Sequence, residues 1–154
     1  MSLRPGPYRV VLVDDQPELI ALARRMFEHA AFDVVATSSP IGVGALIKRH
    51  DPDVVVLDVS MPGLDGESLA RLSIRRERPL PVVFWSALPE TEPATDRAAH
   101  CERDVRILKG SPLPQLVATA ERMIRLAADR VSLRIDATRD FASPTGRGAD
   151  TLQR

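Results

Sequence analysis

Cysteine is almost missing from this sequence. Cys101 is the only one in 154 residues, so the chain can form no internal disulfide and no cysteine-built zinc site, and nothing in it points to an oxidising compartment. Lysine is nearly as scarce: 19 of the 21 basic residues are arginine, leaving Lys48 and Lys109. Net charge is also absent, with 21 basic residues against 21 acidic ones. That balance argues against a general nucleic-acid or anionic-membrane binder, which needs a basic excess. No apolar run approaches the roughly 18 residues of a membrane span. The opening stretch, MSLRPGPYRVVLVDD, meets acids within its first apolar run and lacks the core of a signal peptide. These absences predict a soluble cytoplasmic protein with no nucleic-acid or membrane partner.

The length predicts one compact domain that can bury a core without metal or disulfide staples. Four short runs rich in β-branched residues stand out: Val10 to Val13, Val54 to Leu57, Val82 to Trp85, and Val105 to Leu108 with Arg106 inside it. A weaker fifth run covers Phe32 to Ala36. The strongest are continuously apolar rather than alternating, which suits strands buried on both faces of a parallel sheet.

Between the runs lie segments with helical spacing. Pro17 to Ala30 repeats Leu19, Leu22, Ala23, Met26 and Phe27, with Pro17 suited to the first turn and Asp15 or Gln16 available as a cap. Pro40 to His50 and Gly66 to Glu77 read as helices, the latter with Leu69, Leu72 and Ser73 inward. Glu90 to Glu102 reads as a polar, Ala-rich and mobile one. Leu113 to Asp129 is amphipathic through Leu116, Val117, Ala120, Met123, Ile124 and Ala127. Five strands alternating with five helices predict a doubly wound α/β sheet.

Ligands of such sheets bind beyond the C-terminal ends of the strands. The first strand ends in Asp14 and Asp15, the third in Asp58, the fourth in Ser86 and the fifth in Lys109. Thr37 and Ser38 end the second and have no assigned role. Two carboxylates about 4 Å apart repel by about 4 kcal/mol at an effective dielectric of about 20. A cluster of three therefore needs a proton or a cation to relieve it. With oxygen ligands and no nearby histidine, a hard ion such as magnesium is the expected occupant. Asp14 or Asp15 could instead cap the following helix, but Asp58, directly after VVVL, is harder to explain that way.

At these residues the sequence resembles the receiver domain of two-component response regulators, of the single-domain, CheY-like kind. The matching segments are VLVDDQP with Asp14 and Asp15, VVVLDVSMPGLDG with Asp58, FWSA with Ser86, and ILKG with Lys109. The resemblance spans residues 8–129, and it implies a five-stranded parallel sheet in the order 2-1-3-4-5. It implies that Asp58 is the phosphoacceptor, and that Asp15, Asp58 and the Ser60 backbone carbonyl hold magnesium, with Asp14 acting directly or through water. Ser86 and Lys109 would contact the phosphoryl group, Lys109 as a compact point charge that an arginine fork could not simply replace. The implied partners are a sensor histidine kinase or phosphotransfer protein and a downstream protein target.

The sequence departs from the family pattern in three places. Many receivers carry an aromatic switch residue three positions before the lysine, where this chain has Arg106. Proline, with a cis peptide, usually follows the lysine. Here Gly110 follows, for which cis costs roughly 3 kcal/mol, so a trans bond is expected. The small residues that usually lead into the fifth strand are replaced by His100 to Asp104. Beyond Asp129, Ile124, Ala127, Val131 and Ile135 keep three-to-four spacing. The last helix could therefore run on and offer a stripe to a partner or a second copy, although Val131, Leu133 and Ile135 also fit a strand. Residues 130–154 are read as an extension, with Ala142 to Arg154 expected to be disordered.

Two competing readings remain. A divergent receiver could serve as a phosphorylation-independent scaffold, and Arg106 favours that. A magnesium-dependent aspartyl phosphatase of the haloacid dehalogenase type would need a second acid two residues after its nucleophile, where this chain has Gln16 and Ser60. The reading favoured here is a signalling module rather than an enzyme.

Overall fold

The computed structural model describes residues 6–59, 61, 80–87 and 104–140, with side chains up to residue 129. The described strands are β1 (Arg9–Val13), β2 (Asp33–Thr37), β3 (Val54–Asp58), β4 (Val82–Ser86) and β5 (Asp104–Leu108). The helices are α1 (Pro17–His29), α2 (Val43–His50) and α3 (Leu113–Asp140). The strands form one sheet in the order β2-β1-β3-β4-β5, and every pairing is parallel. This is the expected doubly wound architecture.

The continuous apolar runs become the central strands. Every residue of β3 and β4 is buried, whereas β2, at one edge, is only half-buried throughout. Alternate residues feed two cores. Val10, Leu12, Val54, Val56, Val83 and Trp85 pack with α1 and α3. Val11, Val13, Val55, Leu57, Val82 and Phe84 pack with Val43 and Ile47 of α2 and with Met61 and Leu80. Burying a valine or leucine side chain contributes about 1.5–3 kcal/mol, so the two layers are the main stabilising term. At the N-terminal edge, Arg9 ties three elements together. Its Nε donates to Asp33 Oδ2 at 2.6 Å, its guanidinium also bonds the His50 carbonyl, and its backbone N–H donates to Asp53 Oδ2 at 2.8 Å.

The structure corrects several local expectations. Pro17 does occupy the first turn of α1, but neither Asp15 nor Gln16 caps it: Gln16 stands at the N-cap without a side-chain bond, while Asp14 Oδ1 accepts the Gln16 N–H at 2.8 Å. Leu22, at the margin of the apolar stripe, is 49% exposed. The second helix begins at Val43 rather than Pro40, because Gly42 at its N-cap has φ +83° and cannot belong to the helix. β2 starts one residue later than the apolar run, since Phe32 is used to close α1. The chain past residue 129 is helical, so the strand alternative for Val131 to Ile135 falls. The helices expected over Gly66 to Glu77 and Glu90 to Glu102 lie outside the described residues. No described helix is long and apolar enough to cross a membrane.

The end of α1 is a Schellman closure with an unusual residue in it. The Phe32 N–H donates to the Phe27 carbonyl at 2.9 Å and the Ala31 N–H to the Glu28 carbonyl at 3.0 Å. The Phe27 and Phe32 rings meet edge to face, 5.1 Å apart, which is the hydrophobic contact that accompanies this motif. Ala31 takes the left-handed position, φ +62°, that glycine normally fills. Ala31→Gly is therefore expected to stabilise the protein by about 0.5–1 kcal/mol, read as a higher urea midpoint at unchanged slope. Gly110 is the opposite case: its φ lies outside the left-handed range, a Cβ there would meet nothing within 4 Å, and the peptide before it is trans. Gly110→Ala is expected to raise stability by about 0.4–1 kcal/mol in the same measurement, chiefly by restricting the unfolded chain.

Candidate functional site

Parallel strands end on the same side of a sheet, and here that geometry collects the chemistry. Val13 pairs with Leu57, so Asp14, the next residue, lies beside Asp58, which ends β3. Asp58 in turn pairs with Trp85, and Ser86 ends β4 next to it. Lys109 directly follows β5, and its backbone N–H donates to the Ser86 carbonyl at 2.7 Å. On the other side, the Asp14 N–H donates to the Thr37 carbonyl at 3.3 Å. Thr37 and Ser39 otherwise bond to each other in a local turn, a structural use for the end of β2.

Asp14, Asp58 and Ser86 are 1%, 2% and 3% exposed, while Asp15 is half-buried at the rim. One carboxylate oxygen from each of Asp14, Asp15 and Asp58 lies within 4.8 Å of the others. The Lys109 ammonium sits 2.7 Å from Asp14 Oδ2 and 3.2 Å from Asp58 Oδ2. Burial pushes the Asp14 carboxyl above the usual carboxylate range, and Asp58 adds to the rise. The Lys109 ammonium and the Gln16 amide only partly offset it. Burial acts against the Lys109 charge too, but the hydrogen bonds and charges of Asp14 and Asp58 outweigh it and raise that pKa, so the ammonium stays ionised.

The donor set fits a hard cation. Three carboxylates against one ammonium leave two negative charges when all are ionised, and every side-chain donor is oxygen. Asp14 Oδ2 is itself buried, with the Lys109 ammonium 2.7 Å away.

Among the sequence-derived site residues, Asp14, Asp15, Asp58, Ser86 and Lys109 gather at this edge, whereas Ser60 lies outside the described residues. Arg106 does not join them. It pairs with Phe84 in the sheet register and points to the α2 face, where its guanidinium carbon lies 5.9 Å from the Phe84 ring centroid. Sequence reasoning missed the role of Trp85, whose ring centroid is 5.7 Å from Lys109 Nζ. No signal along the chain carried it, because the contact depends on the pairing of β4 with β5.

Comparison with known proteins agrees with this geometry. A family model described as the response regulator receiver domain matches residues 10–121. A protein-glutamate methylesterase/protein-glutamine glutaminase from Bordetella avium is 42% identical over 84 residues, covering 53% of this chain and 24% of that protein. A similarly named protein from Rhodospirillum rubrum is 36% identical over 122 residues, covering 78% of this chain and 32% of that protein. The chain thus matches only a minor part of the length of these relatives. Among solved structures, the receiver domain of the putative response regulator NarL from Mycobacterium tuberculosis is 30% identical with a TM-score of 0.66, covering 79% of this chain and 98% of that one. The receiver domain of a putative LuxO repressor protein from Vibrio parahaemolyticus, at 19% identity and a TM-score of 0.71 over 82% of this chain and 97% of that one, shares the fold. The matched span reaches from β1 through β5 and holds the clustered acids, and the chain belongs to the response regulator receiver domain family of two-component systems.

Proposed function

We propose that this chain is a phosphoacceptor module that takes a phosphoryl group on Asp58 and signals through protein contacts. The observation that carries the reading is the Lys109 ammonium between Asp14 and Asp58 inside a three-acid cluster at the sheet edge. An Asp58 carboxylate oxygen attacks phosphorus of a partner's phosphohistidine. The new O–P bond forms as the P–N bond breaks, and its electron pair leaves with the imidazole. Asp15, Asp58 and the Ser60 carbonyl would hold magnesium, with Asp14 acting directly or through water. When bound, the ion supplies charge neutralisation for the phosphoryl oxygens. Lys109 balances the remaining charge as a point cation, and the Ser86 hydroxyl donates to a phosphoryl oxygen.

The partners in this reading are a sensor histidine kinase or phosphotransfer protein and a downstream protein, met by this chain in the cytoplasm. Residues 8–129 form the receiver unit. The remainder is an extension through which two copies could pair along α3. The esterase and glutaminase activities in the names of the relatives belong to much longer chains, and this reading does not include them. One observation favours a phosphorylation-independent scaffold instead: Arg106 lies against Phe84 at the position where the resemblance implies a switching ring.

Incubation with magnesium and acetyl phosphate or beryllofluoride separates the two readings by intact mass and fluorine NMR. The wild type is expected to gain one adduct and Asp58→Asn none. A wild type without an adduct, or an equal adduct on the variant, removes the phosphoacceptor reading. Trp85, the sole tryptophan, reports the metal step by itself. Its emission is expected to shift on titration with magnesium and to stay constant in Asp15→Asn.

A further inference from the structure

β4 carries two aromatic residues in succession, and each lies under a cation from β5 or the turn after it. Phe84 meets Arg106 on one face of the sheet, and Trp85 meets Lys109 on the other. Only the second pair touches the acid cluster. A lysine head on a four-carbon stem is a flexible point charge whose freedom must be restricted before it can serve a site. Here the restriction comes from three directions. The Ser86 carbonyl holds the Lys109 backbone, Asp14 and Asp58 hold the ammonium from the polar side, and the indole of Trp85 lies 5.7 Å from it. That ring is itself immobilised: it is 3% exposed and packed in the same core as Ile107, Leu116 and Val117.

The chemistry of that third side matters. An aliphatic residue would strip water from the ammonium and return nothing, whereas the indole face attracts a cation within about 6 Å of its centroid. The attraction has no strict direction, so the ammonium can turn between neighbouring oxygens without breaking a bond to the ring. A hydrogen-bonding side chain in the same place would compete for the protons that the acids use.

We propose that Trp85 is a positioning residue for Lys109, its indole face seating the ammonium where it meets Asp14, Asp58 and an incoming phosphoryl group. The functional half of this proposal rests on the reading of Asp58 as phosphoacceptor, while the seating itself does not.

The two lysines of the chain make the test direct. Uniformly labelled lysine gives two ε-methylene signals, and Lys48, exposed on α2, serves as the internal reference. In metal-free wild type the Lys109 signal is expected upfield of Lys48 through the ring current of Trp85. It should move toward Lys48 in Trp85→Leu and remain partly shifted in Trp85→Phe. With magnesium present, beryllofluoride should bind Trp85→Leu about three- to tenfold more weakly than wild type, with Trp85→Phe between them. A Lys109 signal that coincides with Lys48 in the wild type overturns the seating, even if Trp85→Leu fails to fold. Equal beryllofluoride affinity in wild type and Trp85→Phe or Trp85→Leu overturns the positioning role. A ring-shifted Lys109 in a wild type that takes no beryllofluoride leaves the seating intact and overturns the phosphoacceptor reading instead.

Discussion

Three carboxylates cannot share the dry edge of a sheet without positive charge, and Lys109 is the cation that the described part of this fold brings to them. Everything around the site follows from that requirement. The parallel register puts Asp14 and Asp58 side by side at the ends of β1 and the central strand β3, and both are buried. β5 enters from the far side and delivers the ammonium across the end of β4, with Ser86 holding its backbone. The compensation is incomplete: the ammonium contacts Asp14 and Asp58, while the third acid, Asp15, stands at the rim.

The two ends of the sheet show contrasting uses of the same kind of interaction. At the N-terminal edge, Arg9 meets Asp33, Asp53 and the His50 carbonyl in a set of fixed bonds joining β1 to its neighbours. The guanidinium fork suits that task because it satisfies several acceptors at once and holds them in one plane. At the C-terminal edge the cation is lysine, which binds the same kinds of oxygen without a fixed plane. In a chain whose basic residues are almost all arginine, one of the two lysines falls at this edge.

Much of this was legible in the sequence because the signals were local. Continuous apolar runs marked β3 and β4, and the acids, serine and lysine that ended the runs marked the site. What escaped depended on backbone details or on contacts between distant elements. The start of α2 is set by the left-handed Gly42, and Ala31 holds a position that composition would assign to glycine. The shift of β2 follows from Phe32 closing α1 against Phe27, a ring contact no strand pattern contains. Trp85 read as the end of a buried strand. Its place beside Lys109 depends on the pairing of β4 with β5, which spacing along the chain does not encode.

Helix α3 has 28 residues, about 42 Å of rod, beside strands of five residues that span about 17 Å. Its first part packs on the sheet through Leu116, Ala120, Met123 and Ile124, and the helix then continues beyond the length of the strands. The rod is thus roughly 25 Å longer than the strands it packs on.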